Sequence, residues 1–341
     1  MVVIGRNEGE RLARCLASVC AIARRVYVDS GSTDGSVALA RDEGVTVIEL
    51  EVPPRFTAAR ARNAGLAQLL VEDPDLEFVQ MVDGDCEAHP LWVVSALEVL
   101  RTEPELAVVS GRLRERYPDR SIFNALCEDE WNPPAGLTAG VGGNALFRVA
   151  ALREVEFFNP AMIAGEEMDL GMRLRARGWQ LRRITAEMGL HDANITRLRQ
   201  WWNRMRRSGH ACGELAILHP EGRDPNWRAM VAKIFLWSVV VPGVLAVTIL
   251  LALLVDSRWW IAALLASLAW PLNTVRLMRR ERSRGLSPRL ARASAFFLML
   301  GKLPQLLGLI GYHRNRLSGR ASSLIEYKTA ADSTAVRDRS N

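Results

Sequence analysis

No charged residue stands between Ile234 and Val255. At about 1.5 Å per residue, a helix over that run is about 33 Å long, enough to cross a hydrocarbon core of about 30 Å. A buried helix of a soluble protein rarely needs so long an uncharged run, so a membrane span is the stronger reading. A second apolar run, Trp259 to Val275, follows after only Asp256-Ser257-Arg258, and the two predict a transmembrane helical hairpin over 231–278. Pro242-Gly243 and Pro271 fall inside these runs, where they kink helices without preventing a span.

Arginine sets the expected orientation. Between Arg276 and Arg292 there are seven arginines (276, 279, 280, 282, 284, 289 and 292) against one acid, Glu281, a surplus equal to the chain's whole formal net charge of +6. The positive-inside rule places this loop in the cytoplasm, and two crossings then return the chain to the side of its first half. The expected location is the cell inner membrane, multi-pass, with the globular part cytoplasmic. Because the basic excess sits beside the spans, anionic lipid headgroups of the bilayer are the expected partner, and nucleic acid is not. A third apolar stretch, Ala293 to Ile310, is interrupted by Lys302, Pro304 and Gln305. With arginines at both ends it reads as interfacial or re-entrant within 279–312, and a complete third span is the alternative. The tail, 313–341, is basic and then small and polar, and disorder is expected from about Ala330. Met1 leads directly into Val2-Val3-Ile4, too short an apolar core for a cleavable signal. Five cysteines (15, 20, 86, 127 and 212) without a C-x-x-C pair suggest reduced thiols.

The first 215 residues alternate strand and helix character, which predicts an α/β layer fold on a mainly parallel sheet flanked by helices, joined by a linker at 216–230 to the hairpin. Val2-Val3-Ile4, Arg25 to Val28, Val45 to Leu50 and Phe78 to Val82 read as strands. Glu8 to Val19, Ser36 to Asp42 and Ala58 to Val71 read as helices. Ligands of such sheets bind beyond the carboxyl ends of the strands, where Arg6-Asn7-Glu8, Asp29-Ser30-Gly31 and Asp83-Gly84-Asp85 all fall. Two carboxylates one residue apart repel unless a cation or hydrogen-bond donors neutralise them. Hard ions such as Mn²⁺ or Mg²⁺ suit oxygen ligands, with a diphosphate as natural co-ligand. A lone Asp-Gly-Asp is also an ordinary turn, and the convergence of strand ends raises it above one. No Walker A loop is present, and no G-x-G-x-x-G stands between a strand and a helix.

Taken in order, Val3-Ile4-Gly5-Arg6-Asn7-Glu8, Val28-Asp29-Ser30-Gly31-Ser32-Thr33-Asp34-Gly35, Ala61-Arg62-Asn63-Ala64-Gly65, Asp83-x-Asp85, Gly142-Gly143-Asn144 and Gly165-Glu166-Glu167-x-Asp169-Leu170 resemble the motifs of family 2 glycosyltransferases of the GT-A fold. The resemblance implies a nucleotide-diphosphosugar donor, a divalent metal and inversion at the anomeric carbon. The acceptor is expected to be a lipid-linked or cell-envelope glycan hydroxyl. It implies Asp85 as the direct metal ligand and Asp83 closer to the ribose and metal-bound water. His191 is a candidate to complete the metal shell. Arg6, Glu8, Asp29 and Arg62 fall on the donor side, with Asp29 toward the base and the two arginines toward base or phosphate. An Asx turn is the structural alternative for Asp29, and a solvated helix position for Arg62. Gly143 and Asn144 would line the acceptor side.

The acceptor proton needs a base. Glu166 and Glu167 sit at a positive helix start, where acids are also common for structural reasons. Family members commonly carry Glu-Asp here with the aspartate as base; this chain has Glu167 in its place, one methylene longer, and Glu166 stays a second candidate. Trp202 and Arg204, in Trp201-Trp202-Asn203-Arg204, either stack on and bind substrate or anchor at the membrane interface. The competing functions are a sugar nucleotidyltransferase, against which no glycine- and lysine-rich loop follows the first strand, and a non-catalytic nucleotide-sugar-binding scaffold, which has no need of a base.

Overall fold

The computed structural model describes residues 1–52, 55–222, 225–320 and 325. The expected disordered tail, and residues 223–224 of the linker, lie outside them. The chain forms two compact units that divide between Thr196 and Arg197.

The first unit is a nine-stranded sheet with helices against it. Its strands are β1 (Val2–Gly5), β2 (Val26–Asp29), β3 (Thr46–Glu49), β4 (Phe78–Asp83), β5 (Cys86–Ala88), β6 (Leu106–Glu115), β7 (Gly136–Leu137), β8 (Ala145–Arg148) and β9 (Gln180–His191). Its helices are α1 (Glu10–Ser18), α2 (Ser36–Asp42), α3 (Ala58–Glu72), α4 (Trp92–Thr102), α5 (Ile122–Glu130), α6 (Val149–Glu154) and α7 (Glu166–Ala176). The strand order is β3-β2-β1-β4-β8-β6-β9-β5, with β7 paired to β9. The apolar runs Val2–Ile4 and Val26–Val28 are buried because both faces of these central strands are covered, as a parallel sheet requires.

The expected α/β sheet flanked by helices is present, and it also contains antiparallel pairs. β3, β2, β1 and β4 are mutually parallel, and β6 and β9 are parallel, but β8 runs antiparallel to both β4 and β6, and β5 and β7 run antiparallel to β9. Four-residue β8 gives no sign of its direction in its own sequence; the chain between α5 and β8 decides it. The reversal has a purpose in the geometry. It ends β4 opposite the start of β8, so the backbone N–H of Asp83 donates to Asn144 Oδ1 at 2.9 Å.

The second unit is helical: α8 (Leu198–Leu218), α9 (Trp227–Phe235), α10 (Val241–Leu254), α11 (Trp259–Ser283), α12 (Pro288–Leu300) and α13 (Lys302–Leu317). Between α9 and α10 the helix widens into a π turn at Leu236–Val240, just ahead of Pro242, whose ring would crowd the carbonyl one turn earlier. Trp270 of α11 donates its indole N–H to the Trp237 carbonyl in that turn at 3.1 Å. Among the described residues, three stretches are long and apolar enough to cross a membrane: Trp227–Leu254, Trp259–Ser283 and Pro288–Leu317. The first two leave large apolar side chains such as Leu250, Leu253, Ile261 and Leu264 exposed, as lipid-facing helices do. The one acid of the basic loop, Glu281, is buried and held by Arg280 and Arg284.

The third stretch packs differently. α13 lies along α8 with glycines interlocked: a Cβ on Gly209 would come within 2.0 Å of the Gln305 carbonyl oxygen, and one on Gly308 within 1.9 Å of the Arg206 carbonyl oxygen. Small residues at such a crossing let two helix backbones touch.

Candidate active site

Within the first unit two side-chain clusters form beside the strand ends, one of carboxylates around an arginine and one around Asp85. The first is built on Arg62, which α3 carries into the interior, where it is 2% exposed. Its Nη1 donates to Glu166 Oε1 at 2.9 Å, and its Nη2 donates to Asp83 Oδ1 at 3.0 Å and lies 3.2 Å from Glu167 Oε1. The Phe158 ring covers the guanidinium at 5.4 Å. Burial works against the arginine's charge, but Asp83, Glu167 and Glu166 outweigh it and raise its pKa above the usual arginine value. The sequence alternative of a solvated helix residue is therefore wrong for Arg62.

Helix α7 supplies the glutamates because Gly165, with φ 80°, turns the chain so that Glu166 and Glu167 occupy the first turn. Glu166 is buried, while Glu167 keeps part of its surface open. Burial first, and then the charge of Glu166, push the Glu167 carboxyl up to about 7 against the pull of Arg62. A carboxylate near 7 is matched to proton transfer at neutral pH. Gly143 closes the cluster: a Cβ there would sit 2.0 Å from Arg62 Nη2 and 3.1 Å from Asp83 Oδ2, so glycine alone leaves the guanidinium its place.

The second cluster is built by strand pairing. β5 leaves the turn at Gly84 and Asp85 and runs antiparallel to the end of β9, with Cys86 directly opposite His191. Asp85 is buried, its Oδ2 lies 2.9 Å from His191 Nε2, and the Cys86 thiol lies 3.7 Å from Asp85 Oδ1. One donor atom from each of Asp85, Cys86 and His191 falls within 4.8 Å of the others, a spacing that suits one metal ion. His191 Nδ1 has no hydrogen-bond partner among the described residues, and Nε2 faces the Asp85 carboxylate, which only accepts, so that contact puts the ring proton on Nε2, from which an ion would displace it. The Trp131 ring stacks on His191 with centroids 4.1 Å apart.

The remaining candidates are placed as follows. Asp29 is buried and accepts from the Tyr27 hydroxyl at 2.9 Å and from the backbone N–H groups of Gly31 and Ser32 at 2.8 and 2.7 Å, an Asx turn. Burial and this carboxylate push the Tyr27 phenol up. Arg6 is exposed and lies over the Phe56 ring at 5.7 Å. Glu8 pairs with Arg11 at 2.8 Å. Asn144 binds both the backbone and, at 3.4 Å, the side chain of Asp83. Trp202 and Arg204 belong to the second unit, on α8. Sequence reasoning overlooked Cys86, Phe158 and Trp131. Cys86 had a signal, its place directly after Asp85, whereas Phe158 and Trp131 lie far from any motif.

Comparison with known proteins follows the same lines. Residues 1–155 match glycosyl transferase family 2, and residues 134–273 match glycosyl transferase family group 2. Over 240 residues the chain is 28% identical to the pre-mycofactocin glycosyltransferase of Mycobacterium tuberculosis, from strain CDC 1551 / Oshkosh and from strain H37Rv. That alignment takes in 66% of this chain and 49% of the relative, so the chain spans about half the length of the curated relatives it matches. The fold is similar to that of the mannosyltransferase PcManGT from Pyrobaculum calidifontis, solved in complex with GDP-Man and Mn²⁺. The TM-score is 0.53 with 17% identity, over 92% of this chain and 87% of the other.

Proposed function

Because the chain is a family 2 glycosyltransferase, we propose that it transfers a sugar, with inversion, from a nucleotide-diphosphosugar to a hydroxyl of a lipid-linked or envelope glycan at the cytoplasmic membrane face. The observation that carries this reading is Glu167, a partly open carboxylate raised to about 7 and fixed by the same guanidinium that holds Asp83. In the reaction, Glu167 takes the proton of the acceptor hydroxyl as its oxygen bonds to the anomeric carbon. The bond from that carbon to the diphosphate breaks, and the leaving nucleoside diphosphate keeps the electron pair. Arg62 would hold the base in place through its two outer nitrogens, which face carboxylates. Asp29 shapes the turn beside which the nucleotide base lies, with Arg6 and Glu8 on the same side.

Asp85 and His191 would hold a divalent ion such as Mn²⁺ or Mg²⁺, with Asp83 next to it. When bound, such an ion stabilises negative charge on the leaving diphosphate. Purified protein incubated with a panel of nucleotide sugars, with and without Mn²⁺, tests the reading. One sugar nucleotide should be hydrolysed, only with metal present, and no hydrolysis or thermal shift with any of them would sink the assignment.

For the membrane part we propose that α10 and α11 span and that α12–α13 lie at the interface. A full crossing by α13 would draw its partner α8 into the bilayer together with Arg199, Arg204, Arg206 and Arg207, and arginine is costly there. Cysteines placed at Ser257 and Ser283 should label from outside and inside the cell respectively, and labelling of Ser283→Cys from outside would overturn the topology.

A further inference from the structure

We propose that the metal site has a third protein ligand, the Cys86 thiolate, and that this sulfur shifts the site's preference from Mg²⁺ toward Zn²⁺ and Co²⁺. The inference rests on the metal reading above and adds to it a ligand and a selectivity.

β5 pairs antiparallel with the end of β9. Residues directly opposite in an antiparallel ladder point to the same face, so Cys86 and His191 share one side of the sheet. Asp85 precedes Cys86 in the turn and reaches the same place, with its two oxygens 2.9 Å from His191 Nε2 and 3.7 Å from Cys86 Sγ. A tetrahedral ion with metal–sulfur and metal–nitrogen or oxygen distances of about 2.3 and 2.0 Å needs ligand atoms roughly 3.3–3.5 Å apart. The observed separations bracket that value, with all three atoms inside 4.8 Å of one another. Side-chain rotation that closes separations of up to 4.8 Å by about 1 Å would bring the three together about an ion.

Chemistry then decides which ion. An oxygen-only site suits Mg²⁺, which dehydrates reluctantly and takes oxygen ligands, whereas imidazole and thiolate suit Zn²⁺ and Co²⁺. Three protein ligands from Asp, Cys and His leave the remaining coordination position for a diphosphate oxygen, the arrangement of catalytic rather than structural metal sites. Any site of nitrogen and oxygen already ranks Zn²⁺ above Mn²⁺, so affinity order alone proves nothing. The discriminating quantity is how far that order depends on the sulfur.

The full chain, purified in detergent and freed of metal, is titrated with Zn²⁺, Co²⁺, Mn²⁺ and Mg²⁺ without nucleotide. The wild type, Cys86→Ser, Cys86→Ala and Asp85→Asn are compared. The wild type with Co²⁺ should show a near-ultraviolet sulfur-to-cobalt charge-transfer band that both Cys86 variants lose. Zn²⁺ binding should weaken at least ~10-fold in those variants, as removal of even an outer-shell partner does, while Mn²⁺ binding changes little. X-ray absorption on the zinc-loaded wild type, which needs no substitution and so no variant that folds, should find one sulfur scatterer at about 2.3 Å. Only nitrogen and oxygen scatterers, or a charge-transfer band unchanged in both Cys86 variants, would overturn the third ligand and leave the metal reading standing. No binding of any of the four ions by the wild type, matched by Asp85→Asn, would overturn the metal reading itself.

Discussion

The two side-chain clusters beside the strand ends both gather negative charge and are built to take different cations. Around Arg62, three carboxylates share one guanidinium that the fold supplies, buried and hydrogen-bonded. Around Asp85, the neighbours are an imidazole and a thiol, groups able to hold an ion drawn from solution. The first arrangement is permanent and leaves one acid, Glu167, raised to about 7 because burial and Glu166 together outweigh the shared arginine. The second would be exchangeable, its charge supplied by a bound ion. In the proposed reaction, which must both accept a proton and release a diphosphate, each kind of cation would serve once.

That contrast breaks most decisively at the base. Glu167→Gln keeps the size of the side chain and removes its basicity, so turnover at saturating donor should fall by ~10²–10⁴-fold with donor affinity little changed. Glu166→Gln should cost less. A collapse in Glu166→Gln beside normal turnover in Glu167→Gln would move the base one residue back.

Next in size is the fixed cation. Arg62→Met leaves Asp83, Glu166 and Glu167 with no shared counter-charge, and breaking a buried pair from one side costs about 3–5 kcal/mol, to be read from urea unfolding. Arg62→Lys should recover only part of it, since an ammonium cannot reproduce the fork that serves two acids at once. Stability unchanged by Arg62→Met would mean that the cluster is not held as described.

The exchangeable cation gives a smaller and different effect. Asp85→Ala should reduce metal-dependent UDP or GDP binding by at least ~10-fold without loss of the fold, and EDTA should do the same to the wild type. Calorimetry showing full-strength binding in either case would remove the ion from this cluster.

The subtlest difference is in pH. Because the Glu167 pKa is raised, the native state holds a proton that the unfolded chain has released between about pH 4.5 and 7. Its contribution is therefore greatest at low pH and declines as pH rises through about 7. Glu167→Gln should be more stable than the wild type at pH 8 and no more stable at pH 4. The wild-type kcat/KM should rise with pH to a plateau above about 7, and a profile flat from pH 5 to 8 would show that Glu167 does not carry the proton.

How much of this could be read beforehand differs by cluster. The parallel strands and the position of Asp83 and Asp85 followed from apolar runs ending in carboxylates, and the helix start at Glu166 from the Gly165-Glu166-Glu167 step. Arg62 did not. α3 reads Ala-Ala-Arg-Ala-Arg-Asn-Ala-Gly, with so little polar asymmetry that nothing in it says which arginine faces inward. Its role exists only after Glu166, more than a hundred positions later, folds against it. The antiparallel run of β8 and the pairing of Cys86 with His191 were hidden for the same reason, since register between distant strands leaves no mark on either strand alone. The carboxylate of Asp29 was legible as a turn and as a ligand, and the hydrogen bonds from Gly31 and Ser32 account for the first.

The interlocked glycines of α8 and α13 bear on how the chain would meet the acceptor proposed for it. With backbone against backbone at Gly209 and Gly308, neither helix can slide past the other by a residue without collision. On the interfacial placement proposed above, the depth of α13 would be set by a steric ruler: the arginines of α8 would fix the height of the pair against the headgroups, and hydropathy along 288–317 would not. Lengthening or enriching that apolar stretch would leave its level unchanged, whereas a single alanine at Gly308 would uncouple it and let it find its own.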